Sequence, residues 1–118
     1  MSGPARHGAI VYARDVRELA AFYQRFFGMT QTRETPEFIA LDLEGLSVIV
    51  HEAPVEFPRK TINTVKLFLT VPSLKQAREQ VVEEGGAALE GEWSNAFFRL
   101  CNIADPEGNH IQIREFVS

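Results

Sequence analysis

The sequence holds a single cysteine, Cys101, in 118 residues. That excludes an internal disulfide and a cysteine cluster for zinc, and it fits a reducing compartment. Positive charge is also in short supply, 12 Lys and Arg against 16 Asp and Glu, for a net charge of −4. No basic footprint points to nucleic acid or to an anionic membrane surface. No apolar stretch approaches the roughly 18 residues of a spanning helix. The opening Met1-Ser-Gly-Pro-Ala-Arg-His7 lacks the apolar region of a secretory signal. A soluble cytoplasmic protein is expected. Polar aromatics are few, two Tyr and one Trp, whereas there are nine Phe. That apolar, planar load suits either a core or a ligand cleft.

With 45% hydrophobic and 24% charged residues the chain reads as one ordinary globular domain, built on an internal repeat. Asp42-Leu-Glu-Gly-Leu-Ser-Val-Ile-Val-His-Glu52 and Asp105-Pro-Glu-Gly-Asn-His-Ile-Gln-Ile-Arg-Glu115 share D-x-E-G-x-x, an alternating strand and a closing Glu, at an offset of 63. Upstream, a strand runs into Asp15-Val-Arg-Glu and another into Ser73-Leu-Lys-Gln, at an offset of 58. A glycine follows each cap by 13 residues, at Gly28 and Gly86. Module one spans about 7–52, a connector with Pro54 and Pro58 spans 53–62, and module two spans about 63–116.

In module one the pattern predicts a strand over 8–14, a helix capped by Asp15 and stopped by Gly28, and strands over 29–34, 38–43 and 46–52. In module two it predicts a strand over 64–71, a helix from Ser73 to about Glu84, and strands over 87–92, 96–103 and 109–116. Strand alternation separates two faces. Ala9, Val11, Ala13, Val48, Val50, Val65, Leu67, Leu69, Val71, Ile111 and Ile113 form an aliphatic set suited to packing under helices. The opposite set includes Tyr12, His51, Lys66, Phe68, His110, Gln112 and Arg114. Convergent polar groups in an apolar setting suit a ligand site. The plainer alternative is a solvent-facing sheet surface.

The run His7-Gly-Ala-Ile-Val-Tyr-Ala-Arg-Asp15, with Phe22-Tyr23 and Phe27-Gly28-Met29, resembles the opening of vicinal-oxygen-chelate proteins. That superfamily includes glyoxalase I, bleomycin-resistance proteins and extradiol dioxygenases. Asp105-Pro-Glu-Gly-Asn-His-Ile-Gln-Ile-Arg-Glu115 is similar to its closing signature, so the resemblance covers essentially the whole chain. It implies an α+β fold of two tandem β-α-β-β-β modules forming a half-barrel cleft, commonly in a homodimer. It also implies a divalent metal held by the first and last strands of each module. Carried over residue by residue, those positions are Gly8, Ile49, Lys66 and Gln112, which lack the carboxylate, imidazole and thiolate donors that such metals prefer. No cofactor is therefore expected.

A displaced metal site would have to draw on His7, His51 or His110. Without a metal, Lys66, Arg114, His51 and His110 could receive an anion, Gln112 and Tyr12 could add hydrogen bonds, and Phe68 a stacking surface. Trp93 and Phe97 or Phe98 could close the cleft or lie in the core. His110 and His51 are the candidate general bases. The expectation is a small-molecule-binding protein whose ligand is anionic or aromatic. The alternative is a metal-dependent lyase or isomerase resembling lactoylglutathione lyase, or a dioxygenase-like enzyme, with a non-standard ligand set. Cys101 reads as a small core hydrophobe.

Overall fold

The structure, a computed structural model, describes residues 3–53 and 65–117. Most of the expected connector, with Pro54 and Pro58, lies outside the described residues, as does the expected start of module two at 63 and 64. Two compact units form, residues 8–65 and residues 66–118 together with 1–7. The first carries β1 (Gly8–Ala13), α1 (Val16–Phe27), β2 (Thr30–Glu34), β3 (Phe38–Leu43) and β4 (Leu46–Glu52). The second carries β5 (Val65–Thr70, from Lys66 on), α2 (Leu74–Glu83), β6 (Ala87–Ala88), β7 (Trp93–Ser94), β8 (Phe98–Ala104) and β9 (His110–Phe116).

Each unit builds an open sheet on the same plan. In the first the order is β2-β3-β4-β1, with β1 parallel to β4 and the other pairs antiparallel. In the second it is β5-β9-β8-β6, with β5 parallel to β9 and the short β7 also on β8. A helix follows the first strand in both cases. This is the expected α+β arrangement, with one additional two-residue strand.

Local chemistry fixes the helix ends. The Asp15 carboxylate accepts from Glu18 N at 3.0 Å, and the Ser73 hydroxyl accepts from Gln76 N at 3.1 Å, satisfying N–H groups that the first turn leaves unpaired. Gly28, at φ 73°, closes α1 with a single bond from its N–H to the Gln24 carbonyl. The other helix ends differently. Gly85 holds φ 92° and bonds Val82, while Gly86 N reaches back to Val81. That double closure is a Schellman ending, so the left-handed residue is Gly85 and not the expected counterpart Gly86.

The core lies where alternation placed it in the first unit. Val11, Ala13, Ile39, Leu41, Val48 and Val50 pack against Val16, Leu19, Ala20 and Tyr23 of α1. In the second unit Cys101, Ile111 and Ile113 pack with Leu74 and Ala77 of α2. Val65, Leu67 and Leu69 depart from expectation, because all three are exposed. The helix α2 lies over β6, β8 and β9 rather than over β5. A helix about 10 Å wide spans roughly two strands at 4.8 Å spacing, so the far strand is left open on that side.

The second sheet's edge also departs from expectation. The strand predicted over 87–92 stops after two residues because Gly91 turns the chain at φ 104°. Trp93–Ser94 then pairs afresh with Leu100 and Arg99. The strand predicted from Ala96 starts at Phe98, since the Asn95 side chain accepts from Phe97 N and Phe98 N and holds a turn there.

Candidate functional site

Direct cross-strand pairing sets the non-helical face of the second unit. Phe68 pairs with Gln112 and Gln112 with Asn102, while Thr70 pairs with Arg114, Arg114 with Leu100, and Leu100 with Trp93. Residues opposite one another in a ladder share a face. The face therefore gathers Lys66, Phe68, His110, Gln112, Arg114 and Trp93 from the sequence-predicted residues, with Phe98 opposite Phe116 at its end. Among its described residues there is no Asp or Glu. Glu115 points the other way, bonding Leu74 N at 2.8 Å and Arg99 at 2.8 Å.

Arg114 is the centre of this arrangement. Only 5% of it is exposed, and its guanidinium lies 4.0 Å from the Phe68 ring centroid and 4.4 Å from that of Phe98. Such stacking over ring faces is favourable for a planar cation. Its Nε donates to Gln112 Oε1 at 2.7 Å, and Nη1 donates to the Ala5 carbonyl at 2.9 Å. Nη2 makes no hydrogen bond to a described residue. Burial pushes the guanidinium pKa down to about 10, so it remains a cation at neutral pH.

Lys66, half-buried, donates from Nζ to Asn102 Oδ1 at 3.1 Å. The two cations thus stand on a face whose other described polar side chains are neutral amides, a hydroxyl and His110. His110 is exposed at the start of β9. Trp93 is exposed as well, and Phe98 rather than Phe97 is the ring buried beside Arg114.

The segment before β1 also belongs to this unit. Thr70 Oγ1 donates to the Arg6 carbonyl at 2.6 Å, Thr70 N donates to His7 Nδ1 at 3.2 Å, and the Arg6 guanidinium lies 4.2 Å from the Phe116 ring centroid. His7 is therefore engaged through Nδ1 in binding backbone.

In the first unit the corresponding face carries Tyr12 and His51, which pair across β1 and β4, and Phe38, which pairs with His51. The His51 ring stacks on Phe38 at 5.8 Å and meets Tyr12 edge-on at 6.0 Å. Its Nδ1 lies 2.9 Å from the Glu52 carbonyl. A carbonyl only accepts, so Nδ1 must carry the proton, and in the neutral ring Nε2 is then the basic nitrogen. Ile10, Ser47 and Ile49 on this face are buried.

Thr70 falls on the face where alternation puts it, whereas Asn102 and the Ala5 carbonyl were not anticipated. Asn102 had a signal, a polar residue breaking the aliphatic run Leu100 to Ile103. The Ala5 contact spans 109 residues and had none.

A sequence model of the glyoxalase-like domain matches residues 9–114. The chain belongs to the glyoxalase-like domain family. No curated protein matches the sequence. Among solved structures, a glyoxalase/bleomycin resistance protein/dioxygenase superfamily member from Vibrio splendidus 12B01 is 21% identical, with a TM-score of 0.70 over 93% of this chain and 97% of that one. A methylmalonyl-CoA epimerase from Mycobacterium tuberculosis is 15% identical, with a TM-score of 0.67 over 96% and 87%. A structure named as NAD-dependent benzaldehyde dehydrogenase from Legionella pneumophila is 14% identical, with a TM-score of 0.73 over 94% and 99%. These likenesses concern the fold. Among the described residues no helix is long and apolar enough to cross a membrane.

The superfamily's metal can be tested against the residues at its ligand positions. Gly8 offers no side chain, and Ile49 is a buried alkyl group. Lys66 presents an ammonium already bound to Asn102. The Gln112 carbonyl oxygen faces the Arg114 guanidinium at 2.7 Å. Cations beside the one weak oxygen donor oppose a divalent ion, so this set does not fit one. Among the described residues, no three His, Cys, Asp or Glu side chains come together as a possible metal site.

Proposed function

We propose that this glyoxalase-like protein binds a small organic anion with an aromatic or apolar body, without the superfamily's metal. The observation that carries the reading is the buried cation Arg114, set among described residues that include no carboxylate on its face, in a chain of net charge −4. Carboxylates elsewhere neutralise basic groups, as Glu115 does for Arg99 and Glu34 for Arg17. The hydrogen bonds of Arg114 go instead to uncharged oxygens, those of Gln112 and Ala5. Lys66 adds a second positive charge to the same face. An incoming carboxylate or phosphate would balance the guanidinium, with Nη2 of Arg114 as a directed donor. Exposed Trp93 offers surface for the rest of the molecule, whereas Phe68, expected as a stacking surface, and Phe98 are buried against the Arg114 guanidinium and support that cation instead of a ligand. A cytoplasmic setting is part of the proposal, supported by the lone, buried Cys101.

The reading is tested by thermal-shift titration of chelator-treated protein with benzoate, phenylacetate and phenyl phosphate beside benzamide and benzyl alcohol. A ligand that binds only the folded state raises Tm by mass action. The anions should raise Tm and the neutral analogues should not, with the rise lost in Lys66→Met. Equal responses to benzoate and benzamide would sink the charge argument. A response that requires nickel, zinc or manganese would instead favour the metal-dependent lyase or isomerase reading.

A further inference from the structure

We propose that residues 3–7 form a displaceable strap over the anion site, and that an incoming carboxylate or phosphate takes the place their Ala5 carbonyl holds on Arg114. The proposal rests on the anion reading above and deepens it, naming where the ligand's oxygens go and what must move to admit them.

The strap crosses three strands of the second unit. A Cβ on Gly3 would meet the Phe97 ring at 3.6 Å, just before β8. The Ala5 carbonyl accepts from Arg114 Nη1 at 2.9 Å, and the Arg6 guanidinium lies over Phe116, both on β9. The Arg6 carbonyl and His7 Nδ1 then accept from the hydroxyl and the N–H of Thr70, at the end of β5. Yet residues 3–7 belong to no helix or strand, and no backbone–backbone hydrogen bond among the described residues holds them. A segment fastened by a few side-chain contacts opens at lower cost than the strands of a sheet.

Arg114 gives the strap its role. The residue is only 5% exposed, so an anion that reaches its guanidinium needs a covering group to move. A guanidinium grips a carboxylate or phosphate through paired N–H groups, Nη1 with Nη2 or Nε with Nη2. In each pair one nitrogen is already engaged, Nη1 by Ala5 and Nε by Gln112. Gln112 lies inside β9, paired with Phe68 on one side and Asn102 on the other, and is held there. Ala5 is free to leave. Its departure opens the Nη1–Nη2 edge, and an anionic oxygen then replaces a neutral one on a charged donor, an exchange that favours the anion. Strap and anion therefore compete for Arg114. The apparent affinity is the intrinsic one reduced by the fraction of chains whose strap is lifted.

Trypsin cleavage after Arg6, followed by mass spectrometry on the full chain, reads the strap directly. The scissile Arg6–His7 peptide has its carbonyl on Thr70 Oγ1, so the bond must come free before a protease takes it. Saturating benzoate or phenyl phosphate should speed this cut several-fold, and benzamide should not. Thr70→Val removes the hydroxyl donor and keeps the side chain's shape. It should speed the cut without ligand and bind benzoate about 2- to 10-fold more tightly in calorimetric titration. Unchanged cleavage and equal affinity in the variant, with benzoate still bound, would overturn the strap alone, since the anion would then bind without displacing Ala5. Slower cleavage with ligand, and weaker binding by Thr70→Val, would also overturn it, by making the segment a cover that closes over the anion. Benzoate and phenyl phosphate binding to neither protein would overturn the strap and the anion reading together.

Discussion

Replacing Arg114 by Met separates what this buried cation does for folding from what it does for a ligand. Lowering its pKa from the ordinary guanidinium range to about 10 means that burial opposes the charge by about 3 kcal/mol, which an uncharged side chain would recover. Against that, Arg114→Met gives up two bonds from a charged donor, to Gln112 and Ala5, each of about 1.5–3 kcal/mol. Two cation–ring contacts are lost as well, and sulfur–aromatic contacts replace part of them, leaving a deficit of about 2 kcal/mol. The net expectation is destabilisation by about 2–5 kcal/mol. With an unfolding entropy near 2.1 cal/mol/K per residue, each kcal/mol lowers Tm by about 4 °C in a chain of this length. Urea denaturation followed by circular dichroism should therefore place Arg114→Met clearly below wild type. Arg114→Ala should fall a further 2 kcal/mol or so, because it also empties the space between Phe68 and Phe98. Anion binding should vanish in both. Some buried ion pairs are more stable when replaced by apolar groups. An Arg114→Met protein as stable as wild type would put Arg114 in that class and refute the assignment of several kcal/mol to its two hydrogen bonds.

Three further outcomes follow from other parts of the molecule. A Cβ at Gly86 would stand 2.3 Å from the Ala104 carbonyl oxygen and 2.8 Å from Val81 Cγ2, so Gly86→Ala should lose about 3 kcal/mol or more in chemical denaturation. Gly28→Ala meets no atom and should lose only the cost of its positive φ, about 1–2 kcal/mol, so equal losses would contradict the packing argument. The bond from Leu74 N, and then the one from Arg99, hold the Glu115 carboxyl below its ordinary value. A depressed folded-state pKa gives stability that is present above about pH 4.5 and lost as the pH falls through the folded value. Glu115→Gln should flatten the fall of Tm with acidification, and an unchanged acid limb would count against that role. Cys101, buried with no exposed surface, should react with a thiol reagent only when urea unfolds the chain; rapid native labelling would contradict its place in the core.

What was legible in the sequence was local. Asp15 and Ser73 are caps whose partners lie three residues away, so the helix starts could be read directly. The two D-x-E-G segments marked hairpins correctly, although they turn in different ways. Glu44 and Gly45 both take positive φ in a two-residue turn. Asp105 instead gathers N–H groups of Glu107 and Asn109 on its carboxylate in a longer one, which also lowers its pKa, Asn109 contributing most. Alternation put Lys66, Phe68, Gln112 and Arg114 on one face because β5 and β9 are regular. It failed to show that Leu67 and Leu69 are uncovered, since that depends on where α2 lies. It also failed to show that Ala5 and His7 tie into the second unit. Strand phase identifies the polar groups of a face; which of them are already bonded to one another needs coordinates.

Metal-free binding is probed most directly by calorimetric titration of chelator-treated protein with the anion giving the largest thermal shift, in EDTA and again with nickel, zinc or manganese. The affinity should be the same in every case and should be lost in Lys66→Met. Anion binding that emerges only once a metal is added, with stoichiometric metal uptake dependent on His7, His51 or His110, would contradict the proposal of a ligand held by Arg114 and Lys66 without a metal.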